Sequence, residues 1–382
     1  MNLLSQGQLG SLGITKLVPD SYNRVYEKHA HMAISESNIA HNVAAIRART
    51  AARLIAVIKE NGYGIGLWNA YSILRFQGVD FFAVQYYEEA MRLRSFGWEG
   101  DILLMSPQFD PKRLATLIDS GVILMLGSYA QGQAIRSASA VLNDKQPRVH
   151  IKIDTGLGRY GFRKENWSWI PKSVHGLKVE GCYTHFASGK HGMLRQIEKQ
   201  MRVFIEAVDA MRAMDINPGV LHAASSKSFM LKGDLGLDAV RIGSLLLGRS
   251  AMGTSGAFKN AVTLKAEICN IYKGEQRECA GYAGTLRLKG RTVGIVMAGS
   301  IDGVQLRQQL LGQSFFRDFI RLFAYHLRGK RQSDALIGHM GLGHIVTSIQ
   351  DGQHVGDMVE IPINPLLAHP NLERIVNWQR AL

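Results

Sequence analysis

Between residues 53 and 243 the chain repeats one hydropathy pattern, a short unbroken apolar run followed by a longer stretch with apolar residues three or four apart. The runs are Arg53–Lys59, Asp80–Gln85, Ile102–Met105, Val122–Leu126, Val149–Asp154, Lys178–Thr184, Val220–Ala223 and Ala239–Ile242. Rich in Val, Ile, Leu and aromatics, each reads as a buried parallel strand. The segments between them, such as Tyr87–Phe96 and Gln196–Met214, read as amphipathic helices; the second places Ile197, Met201, Phe204, Ile205, Val208 and Met211 at helical spacing. Eight strand and helix units predict an α/β fold, a (β/α)8 TIM-like barrel, in preference to an open doubly wound sheet.

The 382 residues exceed the roughly 250 of one barrel and leave material for a second domain. From Val262 the pattern changes to β-like runs, Val262–Tyr272, Thr292–Met297, Ile345–Ile349 and Met358–Ile363, separated by glycines and charged turns. They predict a smaller, mostly β domain. Within Gly248–Ala261 the sequence Gly-Arg-Ser-Ala-Met-Gly-Thr-Ser-Gly reads as a linker. The expected organisation is an N-terminal extension over 1–28, a barrel over 29–250 and a C-terminal domain over 251–382.

Cys182, Cys269 and Cys279 are widely spaced and form no CxxC, the usage of a reducing cytoplasm and neither a disulfide scaffold nor a zinc site. No signal peptide is evident, and no apolar run approaches the roughly 20 residues that span a bilayer. The expectation is a cytoplasmic protein without membrane or nucleic-acid partners. The formal charge of +14 is spread along the chain, with one concentration at Arg317–Arg331, where Phe316, Phe319, Ile320, Phe323 and Leu327 would line a helical face opposite arginines. General positive charge attracts phosphate- and carboxylate-bearing ligands.

Chemistry in such a barrel sits where strands end and the following loops begin. Lys59 closes the first strand run and is a candidate Schiff-base lysine. Gly62, Gly64 and Gly66 allow a tight loop from which the Tyr63 hydroxyl can approach a ligand. Across the barrel, His222-Ala223-Ala224-Ser225-Ser226 and Arg241-Ile242-Gly243 end the last two strands, where barrels commonly bind phosphate. A lysine on the first strand and a phosphate site at the last two suit pyridoxal 5′-phosphate, with Arg241 placed to face its ring nitrogen.

Over about residues 30 to 300 these motifs resemble the alanine racemases, pyridoxal-phosphate enzymes of fold type III. Lys59-Glu60-Asn61-Gly62-Tyr63-Gly64-Ile65-Gly66 is similar to the family's cofactor-lysine segment, with Ile65 in place of the usual His. Lys152 to Gly161 matches the segment whose arginine, here Arg159, approaches the substrate carboxylate and whose lysine, here Lys152, is often carbamylated. Tyr183-Thr184-His185-Phe186-Ala187 matches the motif of the ring-contacting His185. Ser226 and Gly243 fall at phosphate-binding positions. Gly281-Tyr282-Ala283-Gly284-Thr285 is similar to the element that supplies the second base, here Tyr282, from the partner subunit.

The resemblance implies a homodimeric racemase with shared active sites that interconverts L- and D-amino acids, alanine by default. Lys59 and Tyr282 would serve opposite faces of the α-carbon. A free tyrosine has a pKa of about 10, so Tyr282 needs a neighbouring positive charge, from Arg159 or His185. Two segments depart from the family. Gly299-Ser300-Ile301-Asp302-Gly303 lacks a substrate-site tyrosine, and in His339-Met340-Gly341-Leu342-Gly343-His344 the family's pocket-shaping Met and Asp become Leu342 and Gly343. The family's later phosphate-binding tyrosine has no clear match. These departures imply altered substrate recognition, for serine or a larger amino acid. Two alternatives remain: a non-catalytic carrier or sensor of pyridoxal phosphate, and a cofactor-free aldolase using Lys59. Read singly, the residues have plainer explanations, such as ion pairs of Arg241 with Asp238 and of Lys152 with Asp154.

Overall fold

A computed structural model describes residues 29–142, 145–187, 193–249, 256–275, 278–280, 286–288, 290–304, 336–337 and 341–378. The chain forms two compact units. One comprises Ala33–Thr263 and Arg374–Leu382; the other comprises Leu264–Glu373 with the N-terminal residues up to Met32. The segments Arg317–Arg331 and Gly281–Thr285 lie outside the described residues.

A strand β1 (Ala30–Ser35) leads into the helix Glu36–Arg47, whose first turn is capped by Ser35 Oγ accepting from Asn38 N at 3.2 Å. The barrel follows as β2 (Arg53–Val57), β3 (Phe81–Val84), β4 (Asp101–Leu104), β5 (Ile123–Leu126), β6 (Arg148–Lys152), β7 (Lys178–Tyr183), β8 (Val220–His222) and β9 (Ala239–Ile242). All eight expected strands are present, each parallel to its neighbours. The pairing of β2 with β9, Arg53 opposite Ala239 through Ala56 opposite Ile242, closes the barrel.

Successive side chains alternate across a strand, so one set fills the barrel and the other meets the helices. The inner set includes Ile55, Val57, Phe81, Ala83, Leu103, Ile123, Met125, Tyr183 and Ala239, all buried. In its middle layer His150 of β6 and His222 of β8 meet. Gly181 makes room for them, since a Cβ there would overlap the His150 ring.

The Gly248–Ala261 stretch is less of a linker than its composition suggests. Its described end is bound to the barrel: Asn42 Oδ1 accepts from Lys259 N at 2.8 Å, Asn42 Nδ2 donates to Lys259 O at 2.8 Å, and Ala261 N donates to Leu247 O at 3.1 Å. The division between units accordingly falls after Thr263. In the other unit the strands lie in the order Asp302–Val304, Met358–Ala368, Val262–Lys273, Thr292–Val296, Ile345–Ser348, Leu336–Ile337, and the pairings described between them are antiparallel. The four β-like runs read from the sequence are all strands of this sheet. No helix among the described residues is long and apolar enough to cross a membrane.

Candidate active site

A cavity of about 280 Å³ opens at the carboxyl ends of the barrel strands. Lys59, Tyr63, Arg159, His185, Ser226, Arg241 and Gly243, which lie far apart in sequence, all line it, together with Lys152. Tyr282 lies outside the described residues. Leu342 belongs to the other unit and is 78% exposed.

Lys59 does not end the strand, as its apolar run suggested. β2 stops at Val57, and Lys59 opens a short turn, Lys59–Tyr63, whose backbone is left-handed: Glu60 and Asn61 at φ +54°, Tyr63 at φ +55°, Gly64 at φ +89°. L-residues pay about 1–2 kcal/mol each for this conformation, so local bonding must hold it. Gly62 N donates to Ile58 O at 2.9 Å, Gly66 N to Asn61 O at 2.9 Å, and Leu67 N to Asn61 Oδ1 at 2.8 Å. The turn presents Lys59 and Tyr63 to the same cavity. The Tyr63 ring lies so close to Gly243 that a Cβ at that position would overlap it. Burial, aided by the negative charge of Glu60, pushes the Tyr63 hydroxyl up to about 12, so it remains a proton donor at neutral pH.

Arg241 is fully enclosed. Its Nη1 donates to His222 Nδ1 at 2.7 Å and to His222 O at 2.9 Å, and its Nη2 donates to Thr184 O at 2.6 Å. Asp238 is not its partner, because that carboxylate accepts from Leu221 N at 2.8 Å, lower in the barrel. The guanidinium therefore has neutral acceptors around it. Burial lowers its pKa to about 10, which leaves it charged. Behind it His222 Nε2 and His150 Nδ1 are 2.9 Å apart, and the His222 ring stacks on Tyr183 with centroids 4.9 Å apart.

Lys152 does not pair with Asp154 either. Asp154 Oδ1 accepts the backbone N–H groups of Gly156, Leu157 and Gly158 at 2.9–3.1 Å and its other oxygen meets Arg163 Nε, which shapes the loop carrying Arg159. Lys152 Nζ instead donates to Ile153 O at 2.7 Å and sits 5.4 Å from the centre of the Tyr183 ring. Burial, then the charge of Arg241, brings its pKa down to about 7. The same two causes hold His185 down at about 3, so it is neutral in the fold. That corrects the expectation that His185 could lend positive charge to a catalytic tyrosine.

At the far wall Ser226 Oγ accepts from Gly243 N at 3.2 Å and Leu245 N at 3.3 Å, joining the loops after β8 and β9. Several lining residues had no role in the sequence reading: Gln85, Tyr160, Tyr183 and Lys227. Tyr183 was legible, since it stands two residues before His185 on the same inward-facing alternation. Its buried hydroxyl has no hydrogen-bond partner, the mark of a site shaped for a polar ligand.

Among the described residues five of the lining are basic, Lys59, Lys152, Arg159, Lys227 and Arg241, and none is acidic. With the orphan Tyr183 hydroxyl and the glycine cradle at Gly243, this donor set fits a small polyanion such as pyridoxal phosphate. In the other unit the two departing segments lie side by side, Ser300 N donating to Gly341 O and Ile301 N to Leu342 O, each at 3.1 Å. Among the described residues no cluster of His, Cys, Asp or Glu suits a metal ion.

Fold and site define a (β/α)8 barrel with a lysine-bearing cavity, rich in basic side chains, at the carboxyl ends of its strands. A family model described as the alanine racemase N-terminal domain matches residues 34–251, and the chain belongs to that family. It is 28% identical over 279 residues to the alanine racemase of Corynebacterium glutamicum, covering 71% of this chain and 75% of that protein. In fold it is similar to the alanine racemase of Streptomyces lavendulae (TM-score 0.76, 21% identity, 93% of this chain and 98% of that one). It is also similar to a histidine racemase from Leuconostoc mesenteroides (TM-score 0.72, 20% identity, 92% and 99%).

Proposed function

We propose that the protein is an amino-acid racemase that holds pyridoxal phosphate in this cavity and works as a homodimer with shared sites. The observation that carries the reading is the convergence of Lys59, Arg159, His185, Ser226 and Arg241 on one cavity with no acidic side chain among its described lining residues. When bound, the cofactor supplies the electron sink that acidifies the α-C–H bond of an attached amino acid. Lys59 holds the cofactor and moves the α-proton on one face. Tyr282 of the partner subunit serves the other face, with Arg159 left to supply the positive charge it needs. Arg159 also binds the substrate carboxylate. Tyr63 and Ser226 hold the phosphate, and neutral His185 packs its ring against the cofactor ring. Arg241 donates an N–H to the ring nitrogen and cannot hand over its proton, which weakens the sink and favours proton exchange over transamination. A Lys152 amine with a pKa brought down to about 7 is partly neutral at neutral pH, the form of nucleophile that carbamylation requires.

Alanine is the default substrate. Leu342 and Gly343, beside the altered Gly299–Gly303 segment, support a pocket for serine or a larger amino acid, and the fold of a histidine racemase is compatible with that range. The same departures favour a second reading, a non-catalytic carrier or sensor of the cofactor.

The test is α-proton exchange followed by NMR in D2O, with pyridoxal phosphate and a panel of L-amino acids including alanine, serine and histidine, then chiral analysis. Exchange with accumulation of the D-isomer is the expected result and names the substrate. Absence of exchange with every amino acid, despite cofactor attached to Lys59, would overturn the racemase reading in favour of the carrier. Turnover confined to alanine would remove the altered pocket.

A further inference from the structure

The geometry points to Glu89 as the positioning residue of Lys59, a single carboxylate that clamps the left-handed turn of the lysine to the next loop of the cavity. The inference rests on the reading of Lys59 as the cofactor lysine. Glu89 lies in the helix Tyr87–Ser95 and is 8% exposed. Its Oε2 accepts from Gln85 N at 3.0 Å and Tyr86 N at 3.1 Å, which is an ordinary helix cap. Capping makes no use of the other oxygen. Oε1 reaches across to the preceding βα loop and accepts from Asn61 N at 3.0 Å, two residues after Lys59.

Asn61 is at φ +54°, inside the stretch where a chain of L-residues does not rest unaided. Among the described residues, two side chains from outside the segment bond to its backbone. Arg374 Nε grips the far end at Gly64 O, 2.7 Å, and Glu89 grips the end nearer Lys59. Because Gln85 also lines the cavity, one buried carboxylate fixes both the direction in which the lysine leaves the backbone and the wall beside it. A glutamine at this position keeps the shape and one acceptor, and its amide nitrogen cannot accept from the second partner.

Hydrogen exchange measured by mass spectrometry on the full-length protein, with and without added pyridoxal phosphate, tests this. Glu89→Gln is compared with Asp110→Ala, which removes a cap of the same kind, Asp110 Oδ1 accepting from Arg113 N at 2.8 Å, away from the lysine turn. Glu89→Gln should speed exchange of the 58–66 segment by about tenfold or more and lower borohydride trapping of cofactor at Lys59, while Asp110→Ala speeds exchange in its own helix and leaves 58–66 unchanged. Unchanged exchange over 58–66 in Glu89→Gln, or an equal rise in Asp110→Ala, would overturn the proposal. Should Glu89→Gln not fold, Glu89→Asp, shorter by one methylene, cannot grip both partners and gives the same comparison. Failure of the wild type to attach cofactor at Lys59 would sink the functional reading, and the exchange data would still decide whether Glu89 holds the turn.

Discussion

The two ends of the barrel use their charged residues in opposite ways. At the amino ends of the strands, Arg53 lies 3.0 Å from both Asp80 and Asp101, Arg148 lies 2.7 Å from both Asp101 and Glu180, and Lys178 lies 2.7 Å from Glu180. Bases and acids there form one closed network. At the carboxyl ends the described lining of the cavity holds five basic side chains and no acidic one. Folding alone satisfies the first end; the described lining of the second carries an excess of basic side chains that suits an anionic ligand. The overall charge of +14 hid this distinction, because what matters for function is where the excess sits.

The largest effect that would sharpen the contrast is at Lys59. Lys59→Ala should lower racemisation by about 10⁴-fold and abolish cofactor attachment, with little change in the urea midpoint; wild-type turnover in the variant would remove the lysine from the chemistry. Next comes acid. His150 is held down at about 3 and His222 well below its ordinary value, in both cases chiefly by burial. Their folded values lie below the unfolded value of about 6.5, so the stability they contribute is complete above that pH and is lost as pH falls toward 3. By pH 5 His150 alone should have cost about 2 kcal/mol, with His222 adding in the same direction, which denaturant curves at several pH values would register. Below about pH 4 Asp101 and Glu180, held down against burial by Arg148 and their other basic partners, add to the loss in the same direction.

Smaller still is Arg241→Met. It strips buried acceptors of their donor and should reduce stability by about 1–3 kcal/mol, while cofactor affinity by equilibrium dialysis falls about tenfold or more. The smallest change is expected at the paired end. Arg148→Met should reduce stability by about 1–2 kcal/mol, less than a fully buried pair because 30% of that side chain faces solvent, and leave cofactor affinity untouched. If Arg148→Met weakened the cofactor as much as Arg241→Met, the two ends would not be separable and the comparison would break.

How much of this was legible in the sequence depended on periodicity. Parallel strands buried on both faces write themselves as unbroken apolar runs, and all eight were readable. Their ends were less so: Ile58 continues the apolarity of β2 and its N–H still donates to Ala83 O at 3.0 Å, but the left-handed turn that begins two residues later carries no signal in hydropathy. Ala30–Ser35, Asp302–Val304 and Arg374–Asn377 were missed as strands, the last two being too short to stand out from their surroundings. At the site, the residues that the motifs assign a role were found, while Tyr160 and Tyr183 stood inside those motifs without one. Gln85 and Lys227 reach the cavity through loop geometry, which no local pattern encodes. The wrong partners for Arg241 and Lys152 came from closeness in sequence: Asp238 and Asp154 each point to backbone amides instead.

The contact of Arg241 with His222 also fixes where hydrogens lie along the barrel axis. A guanidinium has only donors, so His222 Nδ1 must be the bare nitrogen and its proton sits on Nε2. That proton then points at His150 Nδ1, which must be bare in turn, leaving the His150 proton on Nε2. The row is a one-way wire below Arg241: the N–H groups that join Arg241 to His222 and His222 to His150 both point away from the cavity. The nitrogen-15 shifts of the two rings should therefore report a single tautomer each, unchanged when the cavity is filled.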